Sequence, residues 1–177
     1  VEAGGYEDER WWKHKAAKRW REDFVKERSE EGSPLQPRVW EYSNRDNDLQ
    51  PVTGISWFEA TAYACWLSAC EGAPSGSDSI RLLTEGEWRA AAGGAGRDYG
   101  EDPKRHRRRW AHGVRNGQIS PEEDPLLINF DGTRLGTISP VGLFPRGRTP
   151  EGVEDLSGNC WERTSSAYTE RLDPDAL

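Results

Sequence analysis

The chain has 177 residues, enough for one domain or for one domain with an appended arm. Charged residues make up 31% and hydrophobic residues 34%, and nine tryptophans supply large apolar side chains, so we expect an aromatic-rich core under a charged surface. The net charge of −7 argues against a polyanion binder, and no stretch is long and apolar enough to predict a membrane span.

The chain begins at Val1 and contains no methionine, so we expect it to be a processed or excerpted segment. Its three cysteines are Cys65, Cys70 and Cys160. An odd count without metal-site spacing favours small buried thiols over a disulfide framework, and this favours a reducing, cytoplasmic compartment.

The first 36 residues are interpreted as a charged N-terminal arm. Within residues 10–31 an apolar stripe recurs at every fourth position: Trp12, Ala16, Trp20 and Phe24. This spacing predicts an amphipathic helix docked on the domain, with a membrane-surface or partner-binding helix as the alternative.

Two further helices carry capping signals. Ser56 and Glu59 form a capping box at the start of a helix over Ile55–Cys70, and Thr84 and Glu87 repeat the pattern before a shorter helix. We expect the first helix to bury one face made of Phe58, Ala62, Cys65, Trp66 and Ala69.

The second half is predicted to be largely irregular. Glycine, proline and charge dominate residues 95–136, and the basic run KRHRRRW at 104–110 is interpreted as a solvated loop, with an anion or nucleic-acid contact as the alternative. Strands are predicted over 137–144 and 159–165.

Four sequence blocks follow one another in an order that chance rarely produces. They are PVTGISWFEATAYACWL at 51–67, RLLTEGEWRAAAGG at 81–94, PVGLFP at 140–145 and DLSGNCWERTSS at 155–166. Over residues 37–168 this order resembles the formylglycine-generating enzyme (sulfatase-modifying factor) family. The resemblance implies an α+β, C-type-lectin-like fold, in which two helices pack on a small, mainly antiparallel sheet with much irregular structure.

The resemblance also implies structural calcium. The last block matches the family's calcium loop, which places ligands at Asp155, Asn159 and Glu162, with backbone carbonyls at Ser157, Gly158 or Cys160. A second family site is expected at Asn129, with the nearby Asp131 as its carboxylate. The alternative for these residues is turn formation and capping.

Catalytic members of the family oxidise a substrate cysteine with a copper-binding cysteine pair that lies beyond the last block. We find no match to that pair, nor to the histidine motif of an iron-dependent branch, so no catalytic residue is assigned and residues 37–177 are expected to be C-terminally incomplete. Leu83, Cys160 and Arg163 also depart from the family pattern.

Three functions therefore stay open. The favoured one is a non-catalytic ligand- or protein-binding module stabilised by calcium, such as a sensor domain or a member of the family's retroelement-diversified variable-protein branch. The second is a fragment of the copper-dependent oxidase that acts on a peptide cysteine. The third is a scaffold whose partner surface is the stripe within residues 10–31. Partners are expected to be a protein or a small ligand, and nucleic acid is not favoured.

Overall fold

A computed structural model describes residues 5–38, 48–72, 79–93, 128–149 and 152–167. The chain divides into two compact units: unit 1 comprises Val1–Ser43 and Val52–Leu82, and unit 2 comprises Asn44–Pro51 and Leu83–Leu177. In the part of the chain that the structure describes, no helix combines the length and apolar character that a membrane span requires. The basic run at 104–110 and the irregular residues 95–127 lie outside the described residues.

Helix α1 spans Lys15–Glu31 in unit 1. Gly32 ends it in the left-handed conformation (φ 65°), and the next amide, of Ser33, donates to the Arg28 carbonyl at 2.9 Å. The inward face buries Ala17, Phe24 and Arg28. The predicted stripe differs at one position, because Ala17 is buried where Ala16 was expected. Trp12 also lies before the helix rather than on it.

Helix α2 spans Trp57–Cys70 and begins with the predicted capping box. The Glu59 amide donates to Ser56 Oγ at 3.2 Å, and the Ser56 amide donates back to the Glu59 carboxylate at 2.6 Å. Its buried residues are three alanines, Ala60, Ala62 and Ala64. Of the predicted buried face only Ala62 is confirmed, since Ala69 is exposed and Phe58, Cys65 and Trp66 are half-buried.

The core of unit 1 is a stack of aromatic rings beside a small α2 residue. Trp12 and Phe24 are each 2% exposed, and Trp20 stacks between them at ring-centroid distances of 5.7 and 5.0 Å. Tyr6 and Ala62 complete the buried cluster. Of the stripe proposed as a partner surface, Trp12 and Phe24 are therefore buried within the chain and Trp20 is half-buried, whereas Ala16 is exposed.

Unit 2 contains helix α3, Glu85–Gly93, which starts at the second predicted capping motif. The Glu87 amide donates to Thr84 Oγ1 at 3.1 Å, and the Thr84 amide donates to the Glu87 carboxylate at 2.7 Å. Three hydrogen bonds join the 155–166 block to this start: the Ser165 amide and Ser165 Oγ donate to the Leu83 carbonyl at 2.7 and 3.2 Å, and Ser166 Oγ accepts from the Glu85 amide at 2.9 Å.

The expected α+β architecture is wrong for the described residues, which form α-helices, short 3₁₀ helices and turns but no strand or sheet. Over 137–144, Pro140 has no amide to donate, and the Ser139 amide donates to a side chain instead of a neighbouring strand. Over 159–165, Asn159 adopts the left-handed conformation (φ 56°), which breaks an extended run at its first residue. Isolated backbone hydrogen bonds are therefore found where paired strands were predicted.

Candidate functional site

Asn159 is the centre of a polar cluster in unit 2. Its Oδ1 accepts from the Ser139 amide at 2.8 Å, from Ser139 Oγ at 3.1 Å and from Asn129 Nδ2 at 3.1 Å. Its own Nδ2 donates to the Ser139 carbonyl at 3.2 Å, and its amide donates to the Asn129 carbonyl at 2.8 Å. These five bonds join two chain segments that are at least 20 residues apart in sequence, so Asn159 acts here as a structural connector.

Asn129 is 7% exposed and is held in the same cluster. Its Nδ2 also donates to the Thr137 carbonyl at 2.8 Å, and its Oδ1 accepts from Thr133 Oγ1 at 3.3 Å. Asp131 lies two residues on, exposed, in a 3₁₀ helix over Asp131–Thr133. The second predicted metal site is thus split between a buried, hydrogen-bonded amide and an exposed carboxylate.

Asp155 and Glu162 form the electrostatically unfavourable part of the loop. Burial, with the charge of Glu154, raises the pKa of the Asp155 carboxyl. Burial also raises the pKa of the Glu162 carboxyl, and the nearby Asp155 charge adds to this, although the Trp88 indole donates to Glu162 at 2.5 Å and opposes the shift. A cation bound beside these two carboxylates would lower both pKa values.

Cys160 lies between these carboxylates in sequence and is half-buried. Burial and the charges of Glu162 and Asp155 raise the pKa of its thiol, which keeps it protonated at neutral pH. A protonated thiol is neither a metal-binding thiolate nor a nucleophile. A cation here would therefore meet the backbone carbonyl of Cys160 rather than its thiol. Ser157 would likewise contribute its backbone carbonyl.

The predicted calcium set stays a prediction. Asp155 lies close enough to Glu162 to raise its pKa, whereas the Asn159 amide oxygen already accepts three hydrogen bonds. Across the described ranges, no group of three or more His, Cys, Asp or Glu side chains has metal-binding geometry. Calcium here would depend on two carboxylates, backbone carbonyls and water, which are oxygen ligands that it accepts.

A second candidate site, which sequence reasoning missed, is a pocket of about 690 Å³ in unit 1. Aromatic rings form much of its wall: Tyr6, Trp11, Trp12, Tyr63 and Trp66. The residues come from the turn around 5–12, from 52–55, from α2 and from 80–82. Its sequence signals were the Trp11–Trp12 pair and the surplus of large rings on α2, but only the fold brings these segments together.

The polar groups of the pocket wall are largely satisfied. The Tyr6 hydroxyl donates to the Glu59 carboxylate, whose second oxygen caps α2, and burial followed by this hydrogen bond raises the pKa of Tyr6. The Trp12 indole donates to the Gly5 carbonyl at 3.0 Å. Tyr63, 57% exposed, and Trp66 form a ring pair at 5.5 Å. A ligand would therefore meet mainly ring and aliphatic surface.

Comparison with known protein families gives the class of protein. The model of the FGE-sulfatase family, described as the sulfatase-modifying factor enzyme 1-like domain, matches residues 1–174. The chain therefore belongs to the FGE-sulfatase family, which confirms the resemblance drawn from the four sequence blocks.

Individual relatives carry different activities in their names. The hercynine oxygenase of Mycobacterium tuberculosis is 29% identical over 94% of this chain and 34% of its own length. The inactive C-alpha-formylglycine-generating enzyme 2 of Bos taurus is 34% identical over 67% of this chain, and the formylglycine-generating enzyme of Streptomyces coelicolor is 31% identical over 67%. The chain spans about a third of the length of these relatives.

Proposed function

We propose that this chain is a ligand-binding module of an FGE-sulfatase protein and that its pocket in unit 1 holds the ligand. The observation that supports the proposal is the pocket of about 690 Å³ with five aromatic rings in its wall. A concave, mainly apolar site of this size is typical of small-molecule binding. The retroelement-diversified branch stays a prediction.

Trp66 offers a direct test of ligand binding. We expect the apolar fluorophore 8-anilino-1-naphthalenesulfonate to bind the wild-type chain and to lose about tenfold in affinity in W66A, because the substitution removes a large ring from the pocket wall. Fluorescence titration measures both affinities, and circular dichroism checks that each variant folds.

The matched control is W161A, which removes a tryptophan that is 102% exposed and does not line the pocket. Its affinity should equal that of the wild type. Equal affinities for wild type and W66A would show that the probe binds elsewhere and would remove the support for the pocket.

We further propose that calcium stabilises the loop at Asp155 and Glu162. A cation bound by the two carboxylates would offset the cost of burying their charges, which raises both pKa values, and the repulsion of Glu162 by Asp155. Its role would be structural, since it neutralises charge and orders the carbonyls around Ser157 and Cys160.

Chelation tests the calcium proposal. In calcium-containing buffer at a hundred times the dissociation constant, the folded state should gain about 2.7 kcal/mol, so EDTA should lower the melting temperature. D155N should lose this response and, in EDTA, should be at least as stable as the wild type, because it removes the repelling charge. Asparagine tolerates the left-handed backbone at this position (φ 59°).

The control for chelation is D48N, at an exposed carboxylate before Leu49. It should keep the full response to EDTA. A wild-type melting temperature that does not change between demetallated buffer and added calcium would contradict the proposal.

A second candidate function is a part of an oxygen-dependent, metal-using oxidase. It is favoured by the hercynine oxygenases, which align with 94% of this chain, including α1. Under this alternative the copper or iron would be held by residues of the whole protein. An oxygen electrode distinguishes the two functions when the whole protein is loaded with copper or iron(II) and given hercynine or a cysteine-containing peptide. An oxidase consumes dioxygen under these conditions. A protein that only binds its ligand does not.

A further inference from the structure

Around its middle, the outward face of α1 carries two adjacent blocks of charge. Lys18 and Arg19 lie in the first half of the helix, and Glu22 and Asp23 follow one turn later, with all four side chains exposed. At 100° per residue these four positions occupy the side opposite the buried Ala17 and Phe24. The face therefore presents a basic patch directly beside an acidic patch.

This order is unfavourable within the helix itself. The positive end of the helix dipole is at its N-terminus, yet α1 has no acidic residue in its first turn and begins with basic residues. The spacing of Lys18 to Glu22 is also the weaker orientation for an i,i+4 pair, which is stronger when glutamate comes first. Among the described residues, the ion pairs of α1 involve other side chains, such as Lys26 with Glu30 at 3.9 Å and Arg21 with Glu9 at 3.5 Å.

We propose that this face of α1 pairs with the same face of a second copy of the chain. In an antiparallel arrangement, a two-fold axis between positions 20 and 21 brings Lys18 and Arg19 of one copy level with Asp23 and Glu22 of the other. Because a two-fold interface is self-complementary, each contact occurs twice, which gives four opposite-charge pairs. The two helix dipoles also run in opposite directions, which is favourable.

The pairing is weak and electrostatic. Lys15 and Lys26 approach each other at its ends, but the Glu30 carboxylate beside Lys26 reduces that repulsion. One helix face is also smaller than the surface that a permanent dimer buries. The dimer therefore forms at low ionic strength and dissociates when salt shortens the screening length from about 30 Å at 0.01 M to about 3 Å at 1 M.

Analytical ultracentrifugation with two charge variants tests the pairing. In K18E/R19E all four positions are acidic, and in E22K/D23K all four are basic. Each variant alone should be monomeric in 20 mM NaCl, where the wild type dimerises, because like charges now face each other. An equimolar mixture of the two should dimerise again, at least about tenfold more tightly than either variant alone, because the four central pairs are again between opposite charges.

The mixture separates pairing from damage to the fold. Lysine and glutamate are both good helix formers, so circular dichroism of the variants should match that of the wild type. In 500 mM NaCl the wild type should lose at least about tenfold in dimer affinity. A wild type that stays monomeric in 20 mM NaCl at millimolar concentration, or a variant mixture that does not associate, would overturn the proposal.

Discussion

Gly158→Ala should lower the free energy of unfolding by about 3–5 kcal/mol, a large part of the stability of a typical domain. A Cβ at position 158 would lie 2.2 Å from the Asn129 backbone carbonyl oxygen, a distance that no side-chain carbon tolerates. That oxygen also accepts the Asn159 amide at 2.8 Å. Relief of the clash must therefore separate the two segments that the Asn159 cluster joins.

The matched control is Gly152→Ala. Gly152 also has a positive φ (90° against 83° for Gly158), but a Cβ there meets nothing within 4 Å. Gly152→Ala should lower the free energy of unfolding by only about 1–2 kcal/mol, the strain of a left-handed alanine. Urea unfolding of both variants measures the difference, and equal losses would show that backbone strain, rather than the contact with Asn129, decides the cost at position 158.

The helix starts could be predicted because their information is local. At Ser56–Glu59 and Thr84–Glu87, donor and acceptor are three residues apart, so four consecutive residues determine each capping box. The family could be recognised for a related reason, since each of its sequence blocks is a short, continuous run.

The remaining structure depends on contacts that sequence patterns do not encode. Asn159 bonds to Ser139 and Asn129, which are 20 and 30 residues away, and these bonds take the groups that a strand would have used. The residues of the pocket likewise come from separated segments, and rings such as Tyr63 on α2 are exposed there rather than buried. Periodicity indicated which helices are amphipathic, but it could not show that Trp12 packs from a turn.

Trp12→Ala should cost about 3–5 kcal/mol, the range observed when a large buried aromatic side chain is truncated. Trp12 is 2% exposed, stacks on Trp20 and donates its indole N–H to the Gly5 carbonyl. Truncation leaves a cavity between α1 and the turn before it, and it removes the donor that fixes Gly5. Thermal and urea unfolding measure the loss.

Trp161→Ala is the control with the same chemistry, because this tryptophan is 102% exposed. Its loss should lie within about 0.5 kcal/mol of zero, as is usual for surface substitutions. The contrast tests whether residues 5–31 are part of the folded core or an appended arm. An arm that only rests on the domain would unfold locally in Trp12→Ala, and the main unfolding transition of the chain would not change. A shift of the whole transition would show instead that the turn around Trp12, α1 and α2 unfold as one cooperative unit.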